Sequence, residues 1–421
     1  TSRLGSNLDA DGALALVVSG TAVASLAPNG TATFLGGFLG TKPVYFARNR
    51  KALDPQVVLV SDGQRRIYEA GALTTIDDSD LRPPNSVDAL GPYILYGHDD
   101  GTFSYSDINE GGSVAALATY EAEGKPDGLR RLKVRRKEVW LFGEDTTEIW
   151  QITDNADDPF APLGGAYVDV GCLAAASVVQ MGESIAWVAN DFTVRIAQDY
   201  ASEVISTEAV SRAIRALADP TSIEAFVYIE AGARNLVLNS DDWTWVLTQS
   251  LDKNSPDLKW HEEQSIGLSR RRFAHCAQFA GKQITGDATT NALYQINSSS
   301  GADGSGQLIA KIVTEPQHAY PGEVEYNALY IDPIPGSGLN TPSVAETLDP
   351  VIMMRMSDDG AQQWSSQIDM AIGRQGATTQ RCRAHQLGTS GEDGRVFEFS
   401  WDAAANKGIT GGMVEVEAVA P

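Results

Sequence analysis

Cysteine is scarce in this chain, and its three copies lie far apart in the sequence. Cys172, Cys276 and Cys382 are odd in number, and none belongs to a Cys-x-x-Cys pair. A disulfide framework needs an even set of cysteines and a structural zinc site needs closely spaced ligands, so the pattern favours neither. We therefore expect three small side chains that pack in hydrophobic cores.

Long apolar runs are also missing. The most apolar stretch, residues 13–27, is interrupted by serine, glycine and threonine and follows two aspartates. It is too polar to span a bilayer and does not have the composition of a secretory signal. We expect no membrane-spanning segment. Because the sequence does not begin with Met, we also expect a few N-terminal residues to be missing from this numbering.

Basic side chains are outnumbered by acidic ones. The 32 Lys and Arg residues and the 55 Asp and Glu residues leave a net charge of −23. A protein that reads nucleic-acid sequence needs a basic footprint, which this balance argues against. An acidic wall could instead suit a surface past which DNA slides without sticking.

Residue patterns that carry chemistry are lacking as well. The five histidines show no metal-binding spacing, no Gly-rich phosphate loop is present, and acidic pairs such as Asp77 and Asp78 lie in predicted turns. Catalysis needs groups held within mutual reach. We therefore predict no catalytic residues, no enzymatic activity, no metal site and no cofactor.

The sequence does contain a repeat of β-hairpins. Six predicted hairpins carry an aspartate in the turn, and these aspartates lie 38, 45, 46, 50 and 46 residues apart. A weaker mark at Gly20 precedes the first of them by 42 residues. A period of about 40–50 residues made only of strands is typical of propeller blades. We predict a six- or seven-bladed β-propeller over residues 1–300, with turns at Asp62, Asp100, Asp145, Asp191, Asp241 and Asp287.

One helix and a second domain complete the predicted all-β architecture. Val210, Ile214 and Leu217 recur at helical spacing, which predicts a helix over residues 206–217. The Ser/Gly run at residues 297–306 is the best linker candidate. Six strands beyond it indicate a small β-sandwich-like C-terminal domain over residues 301–421. They are predicted at residues 309–314, 324–331, 351–356, 381–385, 396–400 and 413–419.

The sharpest local motif lies in this second domain, at residues 357–364. It resembles the Asp-box hairpin of sialidases and many other β proteins, in which Ser and Asp oxygens tie down a tight turn and a Trp packs beneath it. That hairpin is structural even in sialidases, so one copy is no evidence of hydrolysis. The residues assigned to the structural turn are Ser357, Asp359, Gly360 and Trp364.

Residues 130–137 form the one marked basic run. In a strand, the two-residue period would place the basic side chains on one face and Leu132 and Val134 on the other. One interpretation is a solvated strand face; the other is a contact with an acidic neighbouring subunit or with passing DNA. The candidate contact residues are Arg130, Arg131, Lys133, Arg135 and Lys137.

Several short segments carry a family resemblance. Glu-Gly-Lys-Pro-Asp-Gly-Leu at residues 123–129 is followed by Trp-Leu-Phe-Gly at 140–143 and Thr-Glu-Ile-Trp-Gln at 147–151. Residues 281–287 and the hairpin at 357–364 add support. With these segments in order, the chain resembles the packaged-DNA stabilisation proteins, or tail hub and nozzle proteins, of short-tailed phages.

The resemblance implies a structural role in the virion. Members of this family look like β-propellers that form a ring below the portal and adaptor, continue the DNA channel and help retain the genome. The implied partners are further copies of the chain, in a hexamer by family likeness, the tail adaptor, and distal fibre, spike or needle/knob proteins. DNA would pass without sequence recognition. Assembly would take place in the host cytoplasm.

A second class of function stays open from the residues alone, namely a carbohydrate-binding or carbohydrate-active propeller, either a lectin or a glycosidase. A hydrolase needs convergent acids in a pocket. A tail ring needs broad contacts between copies instead.

Overall fold

The computed structural model describes residues 7–11, 14–38, 40, 42–122, 127–230, 232–251, 258–297, 302–304, 306–318, 322–333, 350–373, 381–402 and 409–419. The chain divides into two compact units, Thr1–Asn297 and Ser298–Pro421. The fold is all-β, as the sequence predicts, and every described ladder between strands is antiparallel. Residues 123–126 of the family motif and part of the 297–306 linker lie outside the described residues.

The first unit contains seven sheets that follow one another along the chain. The first three are β1 (Asn7–Asp11), β2 (Leu14–Ser19), β3 (Ala22–Leu26) and β4 (Ala32–Gly37); β5 (Tyr45–Arg48), β6 (Val57–Ser61), β7 (Gln64–Glu69) and β8 (Ala72–Thr75); β9 (Ser86–Leu90), β10 (Tyr93–Gly97), β11 (Thr102–Tyr105) and β12 (Thr119–Glu121). We number the sheets 1 to 7 in this order.

The other four sheets repeat this up-and-down order of strands. They are β13 (Leu129–Arg135), β14 (Glu138–Gly143), β15 (Thr147–Ile152) and β16 (Phe160–Val168); β17 (Val179–Met181), β18 (Ser184–Val188), β19 (Val194–Gln198) and β20 (Ala201–Val204); β21 (Glu224–Glu230), β22 (Ala233–Asn239), β23 (Thr244–Ser250) and β24 (Leu258–Glu263); and β25 (Phe273–Phe279), β26 (Lys282–Asp287) and β27 (Leu293–Ile296). Sheet 7 thus has three described strands where the others have four.

The six turn aspartates occupy one topological position. Each lies between the second and third strands of its sheet, or at the end of the second strand in the case of Asp287, and Gly20 lies at the same place in sheet 1. Hydrogen bonding is one reason why an aspartate suits this position. The carboxylate of Asp100, for example, accepts hydrogen bonds from Thr102 N (3.2 Å) and Thr102 Oγ1 (2.6 Å). Such side-chain bonds to the backbone two residues on stabilise a tight turn.

Apolar side chains join each sheet to the next. Trp140 and Phe142 of sheet 4 pack with Trp187 of sheet 5, for example. The series returns to its start, since Phe279 of sheet 7 packs against Ala15, Val17 and Leu26 of sheet 1. Seven buried clusters therefore lie at the seven interfaces between successive sheets.

The predicted helix is present as α1 (Glu208–Ala216), between sheets 5 and 6. Thr207 caps its N-terminus by accepting a hydrogen bond from Val210 N, which satisfies one of the free amides of the first turn. Val210 and Ile214 pack into the core between the two sheets. Within the described ranges, no helix has the length and apolarity needed to cross a membrane.

The second unit contains two larger sheets and a short hairpin. The hairpin pairs β28 (Ala302–Asp303) with β29 (Gly306–Gln307). One sheet has the order β30 (Ala310–Val313), β35 (Val396–Trp401), β32 (Val351–Ser357), β33 (Ile368–Ala371), and the other β34 (Cys382–Ser390), β31 (Val324–Pro333), β36 (Ile409–Ala418). Both bury apolar faces in one core that includes Tyr326, Met354 and Phe397. The six predicted strands are confirmed, and the sequence analysis missed β28, β29 and β33.

All three cysteines are free thiols. Cys172 and Cys382 are buried, and Cys276 is half-buried between sheets 6 and 7. Burial raises the pKa of the Cys172 and Cys276 thiols to about 12. These side chains are unreactive packing residues at neutral pH.

Candidate interaction surfaces

Side chains on the first strands of five sheets converge in the middle of the first unit. We call them the first-strand cluster, and it consists of Tyr45, Asp88, Arg131, Lys133, Glu224 and His275. An ion pair and a hydrogen bond join neighbouring sheets: Lys133 Nζ lies 2.7 Å from Asp88 Oδ2, and His275 Nε2 lies 2.6 Å from Glu224 Oε2. Each pair links the first strands of consecutive sheets.

Tyr45 and Arg131 connect sheets that are not neighbours. The Arg131 guanidinium carbon lies 3.4 Å from the centre of the Tyr45 ring, although sheet 3 separates their sheets in the series. Burial raises the pKa of Tyr45 to about 12, and the charges of Arg131 and Glu224 also act on its hydroxyl. The first strands of sheets 2, 4 and 6 therefore all face the same central region.

Arg131 is an unusual member of this cluster because its charge is poorly compensated. Its side chain is 6% exposed, and Nε and Nη1 have no hydrogen-bond partner among the described residues. Burial lowers the pKa of the guanidinium, while Tyr45 and Asp88 act in the opposite direction. A buried charge is costly without compensation, and the Tyr45 ring and the Asp88 carboxylate are the groups that offset it here.

The structure corrects the interpretation of the basic run as one solvated ridge. The alternation is present, since Leu132 and Val134 pack into the core between sheets 3 and 4. However, Arg131 and Arg135 are both 6% exposed. Arg135 donates hydrogen bonds to the main-chain oxygens of Glu183 and Asp199 in sheet 5. Both arginines contact other sheets of the same chain. Arg131 contacts the Tyr45 ring of sheet 2, and Arg135 contacts these carbonyl groups of sheet 5.

The exposed part of the run is smaller than the sequence suggests. Arg130 lies 2.8 Å from Glu144 in a pair that is about half exposed. β13 ends at Arg135, and the exposed residues Arg136 and Lys137 form the turn to β14. Arg130 and Lys137 are therefore the candidate contact residues that a second molecule could reach.

The hairpin at residues 357–364 has the expected bonding. Ser357 Oγ accepts from Ala361 N (3.0 Å), and Asp359 Oδ1 accepts from Gln362 N (3.0 Å) and Gln363 N (2.9 Å). The bond from Gln363 N and the Ser357 hydroxyl lower the pKa of Asp359. Gly360 has a φ of +70°, which favours glycine. The half-buried Trp364 ring packs beside the Arg355 guanidinium.

Arg395 anchors the same hairpin to the rest of the second unit. Its guanidinium binds both carboxylate oxygens of Asp358, at 2.6 and 2.7 Å, and the main-chain oxygens of Leu387 and Thr389. The side chain is 3% exposed. Unlike Arg131, this buried arginine has acceptors for its donors, and every contact named here is structural.

Outside the first-strand cluster, the polar side chains that could carry chemistry have structural partners in the examples that follow. No group of three or more His, Cys, Asp or Glu side chains is arranged to hold a metal ion in the part of the chain that the structure describes. His98 binds Ser104 Oγ at 2.9 Å in the core of sheet 3. Asp78 accepts bonds from Val114 N and Asp80 N, as a turn residue does.

Tyr45, Asp88, Glu224 and His275 are the cluster members that the sequence analysis missed. They lie on four strands that are far apart in sequence, and no local motif contains them. The one available signal was their place on the first strand of each repeat. A polar residue at that place faces the middle of a propeller-like ring.

The repeated antiparallel sheets of the first unit agree with a comparison to known families. Residues 1–301 match the family model described as bacteriophage P22 Gp10, β-propeller. The chain belongs to this family. The family is one of phage structural proteins, and the resemblance noted from the sequence motifs is thereby confirmed.

Comparisons with individual proteins add little to this match. No curated protein matches the chain. Among solved structures, virginiamycin B lyase from Staphylococcus aureus is 9% identical, with a TM-score of 0.44 over 69% of this chain and 94% of that one. BamB from Moraxella catarrhalis is 11% identical, with a TM-score of 0.41 over 69% and 81%. The WD40 β-propeller domain of Doa1 is 14% identical, with a TM-score of 0.43 over 70% and 93%. These low scores carry no weight for function.

Proposed function

We propose that this chain is a subunit of a phage tail ring, a hub or nozzle below the portal and adaptor. The ring continues the DNA channel, helps retain packaged DNA and anchors distal fibre, spike or needle proteins. The observation that supports this most directly is the family match over residues 1–301. The virion is the place of action, and the host cytoplasm the place of assembly.

The proposal includes a specific architecture. Residues 1–300 form a seven-bladed propeller, in which sheets 1 to 7 are the blades, and residues 301–421 form a β-sandwich-like domain. The return of the packing from sheet 7 to sheet 1 supports a closed ring of blades. The convergence of Tyr45, Arg131 and Glu224 supports the same conclusion, because side chains from alternate blades meet only near a common axis.

The proposed role is non-enzymatic. The charged side chains of two ion pairs, Arg395 with Asp358 and Lys133 with Asp88, connect elements of the fold. In this proposal the protein acts by binding partners and not by catalytic turnover. The net charge of −23 supports DNA passage with few lasting contacts, since phosphates gain no counterion release from an acidic wall.

Native mass tests the proposal directly. We expect the purified chain to sediment as a closed oligomer, a hexamer by family likeness, rather than as a 45.0 kDa monomer. Incorporation of the purified oligomer into tail-deficient particles should restore ejection-competent virions. A chain that stays monomeric at tens of micromolar, and that particles lacking it cannot take up, would contradict the proposed ring.

A further inference from the structure

Three of the four strands of sheet 1 contain no charged residue. Residues 12–41, which include β2, β3 and β4, have no Asp, Glu, Lys, Arg or His. Charged residues make up 21% of the whole chain, so a stretch of this length would ordinarily contain several. A surface formed by these residues is therefore neutral, in a protein whose net charge is −23.

The outer part of this sheet is exposed to solvent. Residues 28–34, which form most of the β3–β4 turn and the first half of β4, are all exposed. Phe34 is 69% exposed, more than any other aromatic side chain in the described ranges. Leu35, the next residue, packs into the core between sheets 1 and 2, so the alternation of side chains along β4 places Phe34 on the opposite face. We call residues 28–34 the neutral edge.

The composition of β4 differs from that of most other outer strands. Outer strands usually carry charged residues or proline, which hinder pairing with other chains. Four outer strands of the first unit contain such residues, among them Glu121 of β12, Pro162 of β16, Glu203 of β20 and Lys259 of β24. β4 and its neighbour β8, the outer strand of sheet 2, contain neither. The outer strands of sheets 1 and 2 are therefore the ones suited by composition to contact another protein.

We propose that the neutral edge is a surface by which each copy of this chain contacts the next copy in the ring. This inference rests on the proposed function, which requires contacts between copies. A closed ring of more than two subunits joins two different patches at each interface. The neutral edge of one copy therefore contacts a different surface of its neighbour, and Phe34 supplies an aromatic side chain of the kind enriched in interface cores.

Charge favours a second copy as the partner. Two chains of −23 repel each other, so a contact between them is most stable where it brings no acidic side chains together. A basic partner would instead gain more from an acidic part of the surface. The neutral edge therefore suits a protein of like charge, and the proposed ring supplies such a partner in the next copy.

The assembly of F34D provides the first test. The substitution places a negative charge on the neutral edge of every copy. We expect the protein concentration needed for half-maximal assembly to rise at least about tenfold. F34L keeps an apolar side chain and should assemble as the wild type does. Leu117 is 93% exposed and lies on the β11–β12 connection, so L117D serves as the matched control and should also assemble normally. Circular dichroism and the urea midpoint check that F34D is folded.

Three outcomes decide this test. Assembly of F34D at the wild-type concentration would overturn the inference, even if the particles then lost another tail protein, because the edge would belong to that protein. Equal loss of assembly by F34D and L117D would overturn it too, since any added negative charge would then suffice. A wild-type chain that forms no ring would overturn the proposed function itself.

Labelling of an introduced cysteine locates the contact independently. The native cysteines react slowly with a maleimide because burial raises the pKa of their thiols. T33C should react at least about tenfold more slowly in the oligomer than in the monomeric T33C/F34D chain, whereas L117C should react equally fast in the oligomer and in the L117C/F34D chain. Fast labelling of T33C in the oligomer would overturn the inference. Slow labelling in the monomer would overturn it as well, because another part of the same chain would then cover the edge.

Discussion

Two buried arginines show how the surroundings of one residue decide its contribution to stability. Arg131 and Arg395 are similarly buried, at 6% and 3% exposure. Arg395 has a carboxylate and main-chain oxygens as acceptors, whereas two nitrogens of Arg131 have none among the described residues. The desolvation cost of a buried charged side chain is offset only when its hydrogen-bond donors have acceptors.

Opposite effects are therefore expected when each arginine is replaced by methionine. R131M should raise the free energy of unfolding by about 1–2 kcal/mol, because it removes a buried charge with two unpaired nitrogens while keeping most of the volume. R395M should lower it by about 2–4 kcal/mol, because Asp358 and two carbonyls lose their donor. Urea denaturation of both variants measures the difference. Equal destabilisation by the two would mean that the Tyr45 stack supplies most of what Arg131 needs.

The contact between Glu224 and His275 is a second feature that depends on the surroundings of single residues. Their contact crosses from sheet 6 to sheet 7 and is largely shielded from water, with Glu224 2% exposed. The residues next to Glu224 and His275 in the sequence do not indicate this contact. A pair like this becomes visible only when the strands that carry it are placed side by side.

At the scale of elements, the aspartates in the turns make the stability of the sheets of the first unit sensitive to acid. Burial by itself would raise the pKa of Asp100, Asp191 and Asp287. Hydrogen bonds, among them those from the threonine two residues later, lower the pKa by more than burial raises it. Arg195 contributes at Asp191. The net pKa of each is below its ordinary value. A lowered pKa contributes stability above the unfolded-state value of about 3.9, and this stability is lost as the pH falls through the folded-state values.

D287N isolates this effect in one turn. We expect about 1–2 kcal/mol of lost stability at pH 7, because Thr289 N, Thr290 N and Arg272 donate to this carboxylate. We also expect a smaller fall in stability between about pH 4 and pH 2 than in the wild type. Urea titrations at several pH values give both numbers. A parallel pH dependence in variant and wild type would show that other groups dominate acid unfolding.

The basic strand β13 yields a second prediction at this scale. Arg130 and Lys137 are the candidate contact residues that are exposed, so the double variant R130E/K137E should weaken ring assembly or make it salt-sensitive. Stability should change by no more than about 0.5 kcal/mol, since both side chains are exposed. Native mass at 50 and 500 mM salt measures assembly.

A matched charge reversal controls for the added negative charge. K282E changes an exposed lysine on β26, away from β13, and should leave assembly unchanged. If R130E/K137E assembles normally and instead loses salt-dependent DNA binding, the two residues face the channel rather than a neighbouring subunit.

For the whole molecule, the charge of −23 bears on the proposed passage of DNA. Six such chains would multiply this charge, and phosphates would be repelled over about 8–10 Å. We expect a Kd for duplex DNA weaker than about 10⁻⁴ M at 0.15 M salt, the weak end of nonspecific binding. Fluorescence anisotropy with a labelled duplex measures it. Micromolar binding that weakens steeply with added salt would show a basic channel wall.

The sequence by itself determined much of this architecture. The spacing of the turn aspartates predicted the hairpins, the period of Val210 and Ile214 predicted α1, and the short motifs identified the family. These features are local, since turn chemistry and side-chain periodicity act over a few residues. The hairpin at residues 357–364 could be predicted for the same reason.

Only the tertiary structure decided which side chains meet. The alternation of β13 was correctly predicted, but whether Arg131 and Arg135 face water or a buried interior depends on the sheets packed on either side. The contact of Tyr45 with Arg131 and that of Glu224 with His275 depend on how separate sheets are placed against one another. Such contacts join residues hundreds of positions apart, and a local pattern of side chains does not specify them.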